Sequence, residues 1–123
     1  LNHTTTIQHN NISMKFFIPN QLNRFRIRTF STKEPETLEW IDEFFNEKTI
    51  LWDIGANIGL YSIYAAKKKN CSVYSFEPSV FNIELLAKNI YVNNLQSKIH
   101  LIPLQLDNCI SINKMRMSST NQG

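Results

Sequence analysis

The chain has 123 residues, with 13 Lys and Arg against 10 Asp and Glu, for a formal net charge of +3. That length bounds it to one small domain. Its 42% apolar and 19% charged residues are the composition of a soluble globular protein, and no apolar run reaches the ~20 residues that span a bilayer.

Cys71 and Cys109 form neither a disulfide framework nor a metal-ligand spacing. They read as buried, reduced thiols in a cytoplasmic protein. His3, His9 and His100 are too scattered to suggest a metal site. The amino end carries no charged-then-apolar leader pattern, and the lack of an initiator Met leads to the expectation that the protein starts upstream of Leu1. The positive charge is mild. Arg24, Arg26 and Arg28 alternate with Phe25 and Ile27, which predicts a strand with its arginines on one solvated face. No aromatic residue interleaves on that side to stack a base, so no nucleic-acid partner is expected.

In chain order, residues 1–11 are polar and read as a loose lead-in. A short apolar segment from Ile12 to Ile18 ends at Pro19-Asn20, and the alternation from Leu22 to Phe30 predicts a second strand paired with it as a hairpin. Pro35 suits the first turn of a helix. Leu38, Ile41 and Phe45 give that helix a core-facing stripe. Residues 12–48 thus form an accessory hairpin and helix. From 49 to 115 the pattern is strand 49–54, helix 60–69, strand 73–76, helix 80–92 and strand 98–106, with one further short strand at Ile110–Asn113. Residues 116–123 are a polar tail. Alternation at this spacing argues for βαβ crossovers and a parallel sheet with helices on its faces, an α/β Rossmann-like arrangement of which the first three core strands are present.

The stretch Asp53-Ile-Gly-Ala-Asn-Ile-Gly59 joins the first of those strands to its helix. A glycine turn lets a ligand approach the backbone, and the helix start offers unpaired N–H groups. A P-loop would need Lys-Ser/Thr after Gly59, where Leu60-Tyr61 stand. A dinucleotide fingerprint would need glycine where Asn57 stands. S-adenosylmethionine remains. It has no phosphate, and its cationic groups suit an acid at the end of the first strand, Asp53. Glu77, at the end of the second strand, can accept two ribose hydroxyl hydrogen bonds. That feature is shared with NAD sites and does not discriminate alone.

These residues resemble the first motif of class I S-adenosylmethionine-dependent methyltransferases. Within them, Asp53-Ile-Gly-Ala-Asn-Ile-Gly-Leu-Tyr-Ser62 with Ser75-Phe-Glu-Pro78 and Ile102-Pro-Leu-Gln-Leu-Asp-Asn108 is similar to the FkbM family, over roughly residues 14–120. The lead-in segments Phe16-Phe-Ile-Pro-Asn20 and Thr29–Ile41 share the likeness. The resemblance implies O-methylation of a hydroxyl on a sugar, glycan or other small metabolite. It implies that Asp53, Gly55, Ala56, Asn57 and Gly59 line the methionine end of the cofactor. Glu77, with Pro78 beside it, would hold the ribose, and Gln105 and Leu106 would sit at the adenine edge. Gln105 reads equally as a solvent-facing strand residue, and Tyr61 either packs under the cofactor or belongs to the core. In that family a later strand carries an acidic segment that is absent here, so no catalytic base is assigned, and the chain alone is expected to bind the cofactor weakly and transfer nothing. An NAD-dependent oxidoreductase, a noncatalytic interaction module on the same fold and an RNA methyltransferase remain as alternatives.

Overall fold

The computed structural model describes residues 3–106. The short strand expected at 110–113 and the polar tail fall outside them. The first departure from expectation is at the amino end. The polar lead-in is itself a strand, β1 (Thr4–His9), paired antiparallel with β2 (Ile12–Phe17) from Thr4↔Phe17 to His9↔Ile12. Its connection is a two-residue turn, Asn10-Asn11, with both residues at positive φ, 52° and 68°. A tight hairpin needs left-handed geometry at both turn positions, and Asn tolerates it. The β-branched run Thr4-Thr5-Thr6-Ile7 before Asn10-Asn11 was the available signal.

The second correction follows from the first. Leu22–Phe30 is not the hairpin's other strand: α1 (Gln21–Arg28) and the short α2 (Phe30–Lys33) occupy it. Asn20 starts α1 by accepting the Asn23 N–H on its side-chain oxygen at 2.9 Å, as an N-cap does. Asn23, Ile27 and Phe30 are buried, a helical spacing, whereas Phe25 is exposed. On a helix the three arginines do not share one face. Arg24 and Arg28 lie together and Arg26 points elsewhere. Helix α3 (Pro35–Phe44) follows with Pro35 in its first turn and Leu38 and Ile41 buried.

The parallel sheet is β3 (Ile50–Ile54), β4 (Ser72–Phe76) and β5 (Ile99–Ile102), in the spatial order β3-β4-β5. Helices α4 (Leu60–Lys69) and α5 (Val80–Val92) make the two crossovers. β5 is shorter than its apolar run, because Pro103 lacks the N–H that would continue the ladder. Register sets Asp53 beside Ser75 and Ser75 beside Leu101. On this face Val73, Ser75 and Ile99 are buried together with Ile63, Tyr64 and Ala66 of α4 and Leu86 and Ile90 of α5. The opposite face carries Ile50, Trp52 and Ile54, each more than half exposed, with Trp52 against Phe76 and Tyr74 stacked on His100.

The hairpin is bound to the sheet domain through polar side chains of α5. Asn93 accepts the Lys15 N–H and donates to the Lys15 carbonyl, and Asn89 accepts the Phe17 N–H. Two asparagines thus stand in for a neighbouring strand along β2. Buried Tyr64 ties α4 to α3 by donating to Asp42 at 2.6 Å. Burial first, and that bond second, push its hydroxyl up to about 12.

Candidate functional site

The carboxyl ends of β3 and β4 meet at the glycine turn. Gly55 and Ala56 both donate their N–H groups to the Phe76 carbonyl, at 2.9 and 3.0 Å, so the turn is anchored on the neighbouring strand. Gly55 has φ +75°, and a Cβ built on it would meet nothing within 4 Å. Its backbone therefore faces open space, which a ligand can approach. Gly59 has φ +97° and a different role. A Cβ there would lie 2.6 Å from Leu86 Cδ1, so this glycine lets the start of α4 press against α5. Asn57, also left-handed at φ 55°, turns its N–H toward Glu77.

Glu77 is buried at 3% exposure, not a solvated strand-end acid. One oxygen accepts the Asn57 N–H at 2.7 Å, and the other accepts the Ser79 N–H at 3.0 Å and the Asn82 amide at 3.3 Å. A carboxylate offers about four acceptor positions, so three protein donors leave room for a further hydroxyl.

Asp53 is tied into a short buried chain. The Ser62 hydroxyl donates to it at 2.6 Å and lies 2.6 Å from the Ser75 hydroxyl. Ser62 and Ser75 are fully buried. Burial pushes the Asp53 carboxyl above its ordinary range. Hydrogen bonds from the Ser62 side chain and backbone counter this, and the nearby Glu77 charge adds to the rise. Asp53 therefore also serves the first turn of α4, where orphan N–H groups need an acceptor. Sequence reading missed this serine pair; its only trace was two polar residues at core positions.

A cavity of about 420 Å³ opens beside the turn. Asp53, Gly55, Ala56 and Asn57 line it, as does Tyr61. Among the other expected site residues, Gly59 packs against Leu86, and Glu77 lies behind the turn, bonded to Asn57. Pro78 and Gln105 are exposed and Leu106 is half-buried, and none of these three lines this cavity. The cavity's other wall was not foreseen. It consists of Arg26 of α1, Phe30 and Lys33 of α2, Glu34 between α2 and α3, and Thr37, Trp40 and Ile41 of α3. Tyr61 crosses to that wall and donates to Glu34 at 3.1 Å. Burial, reinforced by Glu34, pushes its hydroxyl up to about 12. Tyr61 thus packs at the cavity wall and on Phe30, with ring centroids 5.4 Å apart.

Among solved structures, the chain is similar to M. jannaschii TYW2 in complex with AdoMet, with a TM-score of 0.59 and 22% identity over 82% of this chain and 43% of that one. It is similar to the C-terminal domain of precorrin-6Y C5,15-methyltransferase from Rhodobacter capsulatus, with a TM-score of 0.55 and 24% identity over 64% and 43%. It is also similar to an RNA methyltransferase from Salinibacter ruber in complex with S-adenosyl-L-homocysteine, with a TM-score of 0.54 and 22% identity over 61% and 50%. The chain spans half or less of the length of each. No family model matches the sequence, and no curated protein matches it. The described residues therefore form part of the Rossmann-like methyltransferase fold, a three-stranded parallel sheet flanked by helices and preceded by an antiparallel hairpin.

Proposed function

We propose that this chain is the amino-terminal part of an S-adenosylmethionine-dependent methyltransferase. One observation carries the reading: the turn from Asp53 to Gly59 presents the bare Gly55 backbone to open space, while its Asn57 N–H is fixed on the buried Glu77. That arrangement suits a ligand with an ammonium group at one end and a ribose at the other. Asp53 lines the cavity and would take the ammonium, and the remaining acceptor capacity of Glu77 would take a ribose hydroxyl. Pro78, Gln105 and Leu106, beyond β4 and β5, would border the adenine. The cofactor supplies an electrophilic methyl group when bound, and the chain's task is to hold and align it. Ligands in complex with the similar TYW2 and RNA methyltransferase structures, AdoMet and S-adenosyl-L-homocysteine, support the same choice over NAD.

The finer reading is an enzyme of the FkbM type that methylates a hydroxyl of a sugar or other small metabolite. It rests on the stretches 53–62, 75–78 and 102–108. Titration calorimetry with S-adenosylhomocysteine, in competition with NAD, tests the proposal. Weak binding that NAD does not displace is expected. Displacement by NAD, with no response to S-adenosylhomocysteine, would remove the reading. Micromolar affinity for the chain alone would instead show that it holds a whole cofactor site.

A further inference from the structure

We infer that Arg26 and Lys33 form an anion subsite in the cavity beside the glycine turn, so that the methyl acceptor carries a carboxylate or phosphate. The inference rests on the cofactor reading above and adds the acceptor's chemistry to it. The cavity wall holds two acids and two cations. The acids have donors: Asp53 accepts from Ser62 and Glu34 from Tyr61. Neither cation has an acid partner within ion-pair distance among the described residues. Among the described residues the ion pair present is Lys88–Glu84, on the exposed side of α5.

Arg26 is nonetheless held in place. Its Nη1 donates to the Asn23 side-chain oxygen at 3.3 Å, and Asn23 is buried at 2% exposure. A guanidinium has five N–H donors in a planar fork matched to carboxylate or phosphate, and one is occupied here. Lys33 adds a second charge at the end of α2. Trp40 and Trp52 line the same cavity with much of each indole exposed. They offer flat apolar surface for the body of a small ligand. Both cations belong to the helical segment before the sheet, not to the glycine turn. The cofactor's own carboxylate has other donors nearby, the N–H groups of Leu60 and Tyr61 in the first turn of α4, residues that also line the cavity. The remaining anion to be matched is the acceptor's.

Trp40 and Trp52 are the chain's two tryptophans, so intrinsic fluorescence of the intact chain reports the cavity directly. Inorganic phosphate is titrated with and without saturating S-adenosylhomocysteine, into the wild type, Lys33→Gln and the double variant Arg26→Gln/Lys33→Gln. Lys33 is exposed, so its single variant keeps the fold. Saturable phosphate binding that persists beside S-adenosylhomocysteine is expected. It should weaken severalfold in Lys33→Gln and about tenfold or more in the double variant. Phosphate binding indifferent to both variants would overturn the subsite. A double variant that loses S-adenosylhomocysteine affinity but keeps that for methylthioadenosine, which lacks the amino-acid tail, would assign the cations to the cofactor's carboxylate and overturn the acceptor claim. A wild type that binds phosphate but not S-adenosylhomocysteine would sink the cofactor reading separately, and the acceptor assignment with it.

Discussion

The Asn57 N–H donates to Glu77 Oε1 at 2.7 Å, which locks the middle of the glycine turn to the end of the neighbouring strand. Glu77 is then a structural part of the turn before any ligand arrives. In Glu77→Gln, one carboxylate oxygen becomes an NH₂ group that must face either the Asn57 or the Ser79 N–H. One buried donor loses its acceptor, so the ligand-free chain should lose about 1–3 kcal/mol of stability. Urea unfolding checks this. An unchanged midpoint would mean that the acid matters only for a ligand.

The two glycines of the turn should fail in different ways. Gly59→Ala drives a methyl group into Leu86 Cδ1, 2.6 Å from the ideal Cβ position, at a φ of +97°. The expected loss is about 2–3 kcal/mol, partly relieved on a Leu86→Val background that removes the opposing methyl. Gly55→Ala meets no atom and carries only the left-handed backbone cost, about 1 kcal/mol. Its larger effect should be on binding, because the new methyl stands where the ligand would approach. Thermal melts paired with S-adenosylhomocysteine titration separate the two. Equal stability losses would remove the distinction.

Asp53 predicts a pH dependence with a definite sign. Burial, opposed by the Ser62 hydrogen bonds, raises its pKa above the ordinary 3.8. The folded chain therefore holds this proton more tightly than the unfolded chain does. The stability it contributes is fully present below the ordinary value and is lost as pH rises through the raised one. Asp53→Asn, which carries no charge, should gain on the wild type across that window and keep a constant advantage above it. Melting temperatures of both proteins from pH 3.5 to 7, chosen as roughly the range that brackets an acid displaced upward from 3.8, measure the difference. A gap that closes as pH rises would contradict the assignment. S-adenosylhomocysteine affinity should move oppositely in the wild type, strengthening with pH, because an ammonium beside Asp53 favours its charged form.

The sheet, its two crossover helices and the turn from Asp53 to Gly59 were legible because each signal was local: an apolar run, a pair of glycines, a helical stripe. The segment before the sheet was not. Phe25 and Ile27 alternate with arginines as in a strand, yet the Asn20 cap and the burial of Asn23, Ile27 and Phe30 make it a helix. The β1 strand was hidden by its polarity: Thr4 and Thr6 are exposed, Thr5 is only partly covered, and all three gain their place from pairing with β2. Of the site, Asp53, Gly55, Ala56 and Asn57 could be read in advance, as one contiguous motif. Arg26, Lys33, Glu34 and Trp40 could not, since α1, α2 and α3 reach the cavity only through tertiary packing. Reading Arg26 as one of three arginines on a strand face placed it in solvent with the others.

Asn89 supplies the last test, because one fully buried side chain connects the hairpin to the turn. Its amide oxygen accepts the Phe17 N–H and its amide nitrogen donates to the Ile58 carbonyl, both at 2.9 Å. Asn89→Ala strips partners from a backbone donor in β2 and a backbone acceptor between Asn57 and Gly59. The expected cost is about 2–6 kcal/mol, the sum for two orphaned buried groups. Asn93→Ala is the control. It also loosens the hairpin, by freeing the Lys15 N–H and carbonyl, but it leaves the Ile58 bond in place. Amide hydrogen exchange distinguishes them. Both variants should lose protection along β2, and Asn89→Ala alone should lose it at Asn57 and Gly59, whose N–H groups bond to Glu77 and to the Ala56 carbonyl. Equal loss at the turn in both variants would mean that the hairpin as a whole, and not Asn89, holds the turn in shape.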